Sequence, residues 1–144
     1  MGSEMCIRDS RYIDALKEEG LLPKTISVTL NTNGILLDEE ILNQCKSSGV
    51  VVAISIDGPK DVHDQMRVYP SGKGTFEEVL RSYRLAQDKG VNNGICVTID
   101  QHNLFRMEEI VHWLANELGA KGMGFNILIE NSVGQAEEKH DRYA

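Results

Sequence analysis

VVVAISIDGPKDVHDQMR, residues 50–67, decides the fold. It opens as a run of β-branched and small residues, the composition of a strand buried on both faces. Val50, Val52, Ile54 and Ile56 fall on one side of that strand; Val51, Ala53, Ser55 and Asp57 fall on the other. One side is wholly apolar. The other is small and then polar toward the C-terminal end, which is where parallel α/β sheets bind ligands. Asp57-Gly58-Pro59 closes the strand and turns the chain.

Three further strands flank it. Thr25–Thr32 alternates Ile26, Val28, Leu30 and Thr32 with Ser27, Thr29, Asn31 and Asn33. Asn93–Asp100 sets Ile95, Val97 and Ile99 against Gly94, Cys96, Thr98 and Asp100. Gly122–Glu130 sets Met123, Phe125, Ile127 and Ile129 against Gly124, Asn126, Leu128 and Glu130. Helical segments lie between them. Arg11–Glu19 ends at Gly20. Asp38 is the expected N-cap of a helix to Ser48, with Ile41, Leu42 and Cys45 inward. Thr75-x-x-Glu78 reads as a capping box for a helix reaching Lys89, with Val79, Leu80, Tyr83 and Ala86 inward. Asn103 is expected to cap a helix to Leu118 that buries Ile110, Val111, Leu114 and Leu118. Residues 60–74 read as a long connection whose His63 is exposed; a short helical turn there would bring His63 and Arg67 to one side. Strands alternating with helices predict an α/β fold of parallel strands joined by right-handed crossovers.

Composition narrows the function. The chain has 144 residues, 41% hydrophobic and 26% charged, which suits one soluble domain with a moderate core. A net charge of −7 argues against nucleic acid as a partner. No run approaches the ~18 apolar residues of a membrane span, and no secretory signal is visible. Cys6, Cys45 and Cys96 are widely spaced and make neither a disulfide framework nor a metal motif. No metal ligands are therefore expected here, and a reducing cytoplasm is the expected compartment. Met5–Ser10 resembles the translation of a sequencing-adapter end, so residues 1–10 are set aside as a non-native leader, a genuine frayed terminus being the alternative.

The polar sides of the four strands carry Asn31, Asn33, Ser55, Asp57, Thr98, Asp100, Asn126 and Glu130. A closed barrel filled by its own side chains favours Val, Ile and Leu there. Buried polar groups without partners cost roughly 1–3 kcal/mol each, so this concentration predicts a wet cavity or a polar ligand. Taken singly, Asn33-Gly34 and Asp57-Gly58 read as turn residues. Cys96 reads as a small buried residue.

Thr32-Asn33-Gly34 after a strand, Ser55-Ile56-Asp57-Gly58-Pro59, His63-Asp64, Arg67 and Gly72-x-Gly74-Thr75-Phe76 together resemble the middle of radical SAM enzymes. The similarity is greatest to the anaerobic sulfatase-maturating enzymes and related peptide maturases with SPASM domains, and it covers Ile26 to Glu130. The resemblance implies a partial (βα) barrel over residues 11–130, roughly strands three to six in parallel order, with 131–144 a truncated C-terminal segment. It also implies S-adenosylmethionine and a [4Fe–4S] cluster, which together yield a 5′-deoxyadenosyl radical that takes a hydrogen atom from a peptide or protein. Matched by position, Ser55 and Arg67 would hold the methionyl end of SAM, a guanidinium fork suiting its carboxylate. Leu128 would contact the adenine. Asn31 would face the substrate, where sulfatase maturases often carry Gln. Asn33, Asp57, Thr98 and Asn126 would line the polar cavity.

The family's C-x₃-C-x₂-C loop and its Gly-Gly-Glu motif are not found in this sequence. Three thiolates hold such a cluster. The chain is therefore expected to be an internal piece of such an enzyme, an oxidoreductase by family and inactive alone, with no catalytic residue of its own and an open edge at residues 26–32. Two alternatives stand beside this: a cluster-free module binding SAM or a peptide, and a piece of an ordinary TIM-barrel enzyme. Oligomeric state is not legible.

Overall fold

The computed structural model describes residues 12–128. Residues 12–18 form helix α1. Next come β1 (Thr29–Thr32), α2 (Glu39–Ser47), β2 (Val51–Ser55), α3 (Lys60–Met66), α4 (Phe76–Asp88) and β3 (Asn93–Ile99). A 3₁₀ turn (Leu104–Arg106), α5 (Met107–Asn116) and β4 (Met123–Ile127) complete the order. The expected leader, Glu130 and the segment from Asn131 onward lie outside the described residues.

The four strands form one sheet in the order β1-β2-β3-β4, and every neighbouring pair is parallel. Spatial order therefore equals chain order. Right-handed crossovers that always step the same way leave every connecting helix on one face. The opposite face stays bare, and the natural strand twist curls such a sheet into a segment of barrel. The predicted partial barrel is what the chain forms.

The apolar sides of β2 and β3 pack beneath the helices as expected, whereas Ile26 ahead of β1 and Phe125 and Ile127 of β4, expected on the same apolar side, are 41%, 44% and 73% exposed. Val50, Val52, Ile54, Ile56, Ile95 and Val97 are buried, together with Ile41, Leu42 and Cys45 of α2, Val79, Tyr83 and Ala86 of α4, and Ile110 and Leu114 of α5. Asp38 caps α2: its Oδ1 accepts the Ile41 N–H at 2.9 Å. Gly34 carries φ of +78°, and a Cβ there would lie 2.9 Å from Ile54 Cγ2. Glycine thus lets the chain leave β1 and pass tightly over the core.

Several local expectations need correction. β1 is shorter than predicted, because β2, its only partner among the described residues, starts at Val51, with Val50 N–H taken by the Cys45 carbonyl at the end of α2. Val111 is 37% exposed rather than inward, so the buried stripe of α5 is narrower than the periodicity suggests. Residues 60–66, read as connection, form α3, and His63 is fully buried. Thr75 makes no side-chain cap. Asp64, reaching over from α3, accepts the Phe76 N–H at 2.9 Å instead, while Glu78 pairs with Lys73. Asn103 does not cap a helix with its side chain either; it is buried against the end of β3. At α4 a partner from another element displaces the local cap, and Asn103 uses its side chain on the Asp100 N–H and the Thr98 carbonyl.

Candidate ligand site at the strand ends

The bare face is built in rows by the register. Asn31, Ala53 and Gly94 lie side by side, then Ser55, Cys96 and Gly124; Thr98 and Asn126 pair one step further up. Ala53, Gly94 and Gly124 give the floor almost no side-chain volume. A filled barrel interior would place branched residues there. Space is thus left in front of the sheet.

Asp57 organises the upper rim. Its carboxylate is 7% exposed and accepts Arg67 Nε through Oδ2 at 2.5 Å. Oδ1 accepts Arg67 Nη2 at 3.2 Å and the Thr98 N–H at 2.7 Å. Arg67 Nη2 also donates to Thr98 Oγ1 at 3.2 Å. One carboxylate therefore ties the end of β2 to β3 and to the residue that follows α3. Of the guanidinium nitrogens, Nη1 is the one that these bonds leave available.

His63 supports this pair from behind. Its Nδ1 accepts the Asp57 N–H at 3.3 Å, which leaves the proton on Nε2. Nε2 then donates to Thr75 Oγ1 at 3.1 Å, and the Thr75 hydroxyl donates to the Arg67 carbonyl at 3.0 Å. Burial pushes the His63 pKa down to about 4, the nearby Asp57 charge opposing the shift. The ring is therefore neutral near pH 7, as its accepting nitrogen requires. The Phe76 ring meets it edge-on with centroids 5.7 Å apart.

Asp64 holds the next turn. It accepts Lys60 Nζ at 2.7 Å as well as the Phe76 N–H. These contacts keep its carboxyl below the usual range against the desolvation that raises it. Gly74 lies flush against this carboxylate: a Cβ there would overlap Asp64 Cγ and both carboxylate oxygens. After β3, Asp100 Oδ1 accepts the His102 N–H at 2.7 Å, and Asn103 Nδ2 donates to the Thr98 carbonyl at 2.8 Å. The loop beside Thr98 is fixed by its own side chains.

Arg67 and Leu128 line one pocket with Asp57, Met66, Thr98 and Asp100. It continues into a cleft of about 240 Å³ bounded by Met66, Asp100, Gln101, His102 and Leu128. Two of the three residues expected to hold a cofactor thus meet. Ser55 shares the concave side but lies one row deeper than Asp57 and is not part of that lining. Asn31 is exposed on β1, and Asn126 donates from Nδ2 to Cys96 Sγ at 3.0 Å. Asn33 serves its turn: Oδ1 accepts the Ile35 N–H at 3.2 Å.

The Asp57–Arg67 pair was not foreseen from the sequence, because ten residues of turn and helix separate its members. His63 had a usable signal. Pro59 favours a helix start, and Val62 and Met66 then repeat at helical spacing. Among the described residues no three His, Cys, Asp or Glu side chains gather as a metal site. Cys45 packs in the core under the helices and Cys96 faces the opposite side of the sheet, so the two do not share a cluster. Among the described residues no helix is long and apolar enough to cross a membrane.

Comparison with known proteins places this geometry. The family profile of the radical SAM superfamily matches residues 7–114. A serine-type anaerobic sulfatase-maturating enzyme of Bacteroides thetaiotaomicron is 26% identical over 117 residues, 81% of this chain and 28% of the relative. An AdoMet-dependent heme synthase of Methanosarcina barkeri is 30% identical over 118 residues, 81% of this chain and 32% of the relative. Among solved structures, native anSMEcpe with AdoMet and a peptide bound superposes with a TM-score of 0.74 at 21% identity, over 90% of this chain and 36% of that one. The chain spans about a third or less of the length of these relatives.

Proposed function

This chain belongs to the radical SAM superfamily, and from that premise we propose that it is the SAM-binding middle of a barrel enzyme that modifies a peptide or protein residue, in the manner of the sulfatase maturases. The observation that carries the reading is Arg67, fixed by Asp57 and Thr98 at the C-terminal ends of parallel strands and sharing a pocket with Leu128. A guanidinium held there is a ready site for the carboxylate of an amino-acid-like ligand. Its Nε and Nη2 are engaged by Asp57 and Thr98, so the ligand carboxylate meets the Nη1 edge rather than the whole fork. Leu128 supplies apolar surface and backbone for the adenine, and the Ser55 hydroxyl lies further down the same face. Asn31, exposed over the empty floor, is placed to meet a substrate.

SAM and a [4Fe–4S] cluster are the cofactors of the family. A fixed guanidinium and the apolar Leu128 suit the carboxylate and the adenine of the first, and the space that these two residues line is narrow, about 10 Å³, opening beside the 240 Å³ cleft. For the second, Cys45 and Cys96 lie on opposite sides of the sheet, and this supports the reading that the cluster's thiolates belong to a part of the enzyme outside this stretch. The stretch alone is then inactive and retains SAM affinity. A second relative bears the name AdoMet-dependent heme synthase, a different class of product. The small, open floor and the likeness to a peptide-bound sulfatase maturase favour a peptide. A cytoplasmic setting suits the cluster and the wide spacing of the cysteines.

Calorimetry of SAM binding, with wild type and Arg67→Ala, tests the reading. Weak binding by wild type that is lost in the variant is expected. Equal heats from both would reject Arg67 as the carboxylate site.

A further inference from the structure

We propose that His63 and Thr75 are positioning residues for the ligand carboxylate, acting through the backbone of Asp57 and Arg67. This rests on the assignment of Arg67 above and goes beyond it by naming what holds the guanidinium in place. The two residues of the ion pair come from different elements; the His63 imidazole bonds the Asp57 main chain directly and reaches the Arg67 main chain through Thr75. The Asp57 N–H donates to His63 Nδ1 at 3.3 Å. On the far side, His63 Nε2 reaches Thr75 Oγ1 at 3.1 Å, and that hydroxyl donates to the Arg67 carbonyl at 3.0 Å. The Thr75 N–H donates to the same carbonyl at 3.1 Å, and the Arg67 N–H to the His63 carbonyl at 3.0 Å.

His63 is wholly buried and Thr75 is 4% exposed, so neither touches a ligand. A polar ring in an apolar setting costs stability unless both nitrogens are satisfied. Here both are, and in a directed sense: the ring accepts from one anchor and donates toward the other. Only the neutral Nε2–H tautomer fits both bonds. The Nδ1–H form would set two donors face to face at Asp57. Burial keeps the ring neutral, with Asp57, Arg67, Asp64 and Lys60 as the charged groups around it. Thr75 was expected to cap α4. Its hydroxyl is used on Arg67 while Asp64 caps the helix. The two duties are thereby separated, and a change at Thr75 leaves the cap intact.

The test compares SAM with 5′-methylthioadenosine, which keeps the adenosine and the S-methyl group and has neither the sulfonium charge nor the aminocarboxypropyl chain with its carboxylate. Dissociation constants are measured by calorimetry for wild type, Thr75→Val, Thr75→Ser and Arg67→Ala. Loss of one neutral hydrogen bond's positioning predicts that Thr75→Val weakens SAM about three- to tenfold. Thr75→Ser, which keeps the hydroxyl, restores it, and methylthioadenosine binds all four proteins alike. Equal weakening of both ligands in Thr75→Val, or of neither, overturns the inference. If Arg67→Ala fails to separate the two ligands, the cofactor reading falls first, and the inference with it; if Arg67→Ala separates them and Thr75→Val does not, only the inference falls. A readout free of variants is the ¹⁵N spectrum of the His63 ring in the unliganded chain. It is expected to show an unprotonated Nδ1 and a protonated Nε2 near pH 7, and the other tautomer or an imidazolium refutes the proposal outright.

Discussion

Replacing Asp57 with Asn removes one charge and almost no volume, and the contacts around the carboxylate set the consequence. The Asp57 side chain is 7% exposed and that of Arg67 is 15% exposed. If the remaining carbonyl oxygen keeps the Thr98 N–H, the new amide nitrogen turns its hydrogens toward Arg67 Nε, donor against donor. The guanidinium also loses its countercharge. Stripping one partner from a buried pair costs about 3–5 kcal/mol. Water reaching the Arg67 side chain screens part of that, so the lower end, about 3 kcal/mol, is expected. Against a domain stability of about 5–15 kcal/mol, this is a large fraction. Urea unfolding followed by circular dichroism measures it, with the slope unchanged if only the native state is affected. Arg67→Met alone strands the carboxylate with the Thr98 N–H and is also destabilising. The double variant Asp57→Asn/Arg67→Met leaves no unpaired charge and recovers much of the loss, giving a coupling of about 2 kcal/mol. Additivity within about 0.5 kcal/mol, or a loss below about 1 kcal/mol in Asp57→Asn, would refute the claim that this pair holds the strand ends together.

Gly74→Ala would push the Asp64 carboxylate off the start of α4, since the new Cβ overlaps it. A loss of about 2 kcal/mol is expected in the same urea assay, with little further effect when Asp64 is already Ala; a neutral Gly74→Ala contradicts the close approach. His63 titrates near 6.5 when unfolded and is held down to about 4 in the fold. The unfolded chain therefore binds more protons between these values, and stability is full above pH 6.5 and falls as pH drops through that window, by at most about 1.4 kcal/mol per unit. His63→Gln should flatten the slope measured between about pH 5.5 and 6.5, above where the lowered carboxyls of Asp61, Asp64, Glu78 and Glu109 change stability; an unchanged slope assigns it to another group. Among the described residues β4 is an edge strand, and its Phe125 and Ile127 are 44% and 73% exposed. Ile127→Lys is expected to reduce aggregation seen by light scattering without lowering the thermal midpoint, because a charged edge resists pairing with another chain; unchanged scattering would show that this edge is not the adhesive surface.

The strand alternation of residues 50–57, the glycine stops and the β-α order were enough to predict parallel strands and the inward faces of β2 and β3, and the barrel type came from the resemblance. These features are local or repeat along the chain, and burial of one apolar face leaves a short strand few alternatives. The resemblance assigned Ser55 and Arg67 together to the methionyl end of SAM and Leu128 to the adenine; in the structure Arg67 and Leu128 line one pocket, and Ser55 is not part of that lining. What only the tertiary structure decided was how polar groups are shared. Thr75 and Asn103 look like helix caps, and Asp57 looks like a turn residue, as long as only neighbours in sequence are considered. Folding brings Asp64 to Phe76, Thr98 to Asp57 and His63 between Asp57 and Thr75, and each buried polar atom takes the partner that completes the network. A hydrogen bond depends on the position of two groups in space, and a chain pattern with a period of two or of 3.6 residues carries no information about partners in other elements, here 6 to 41 residues away.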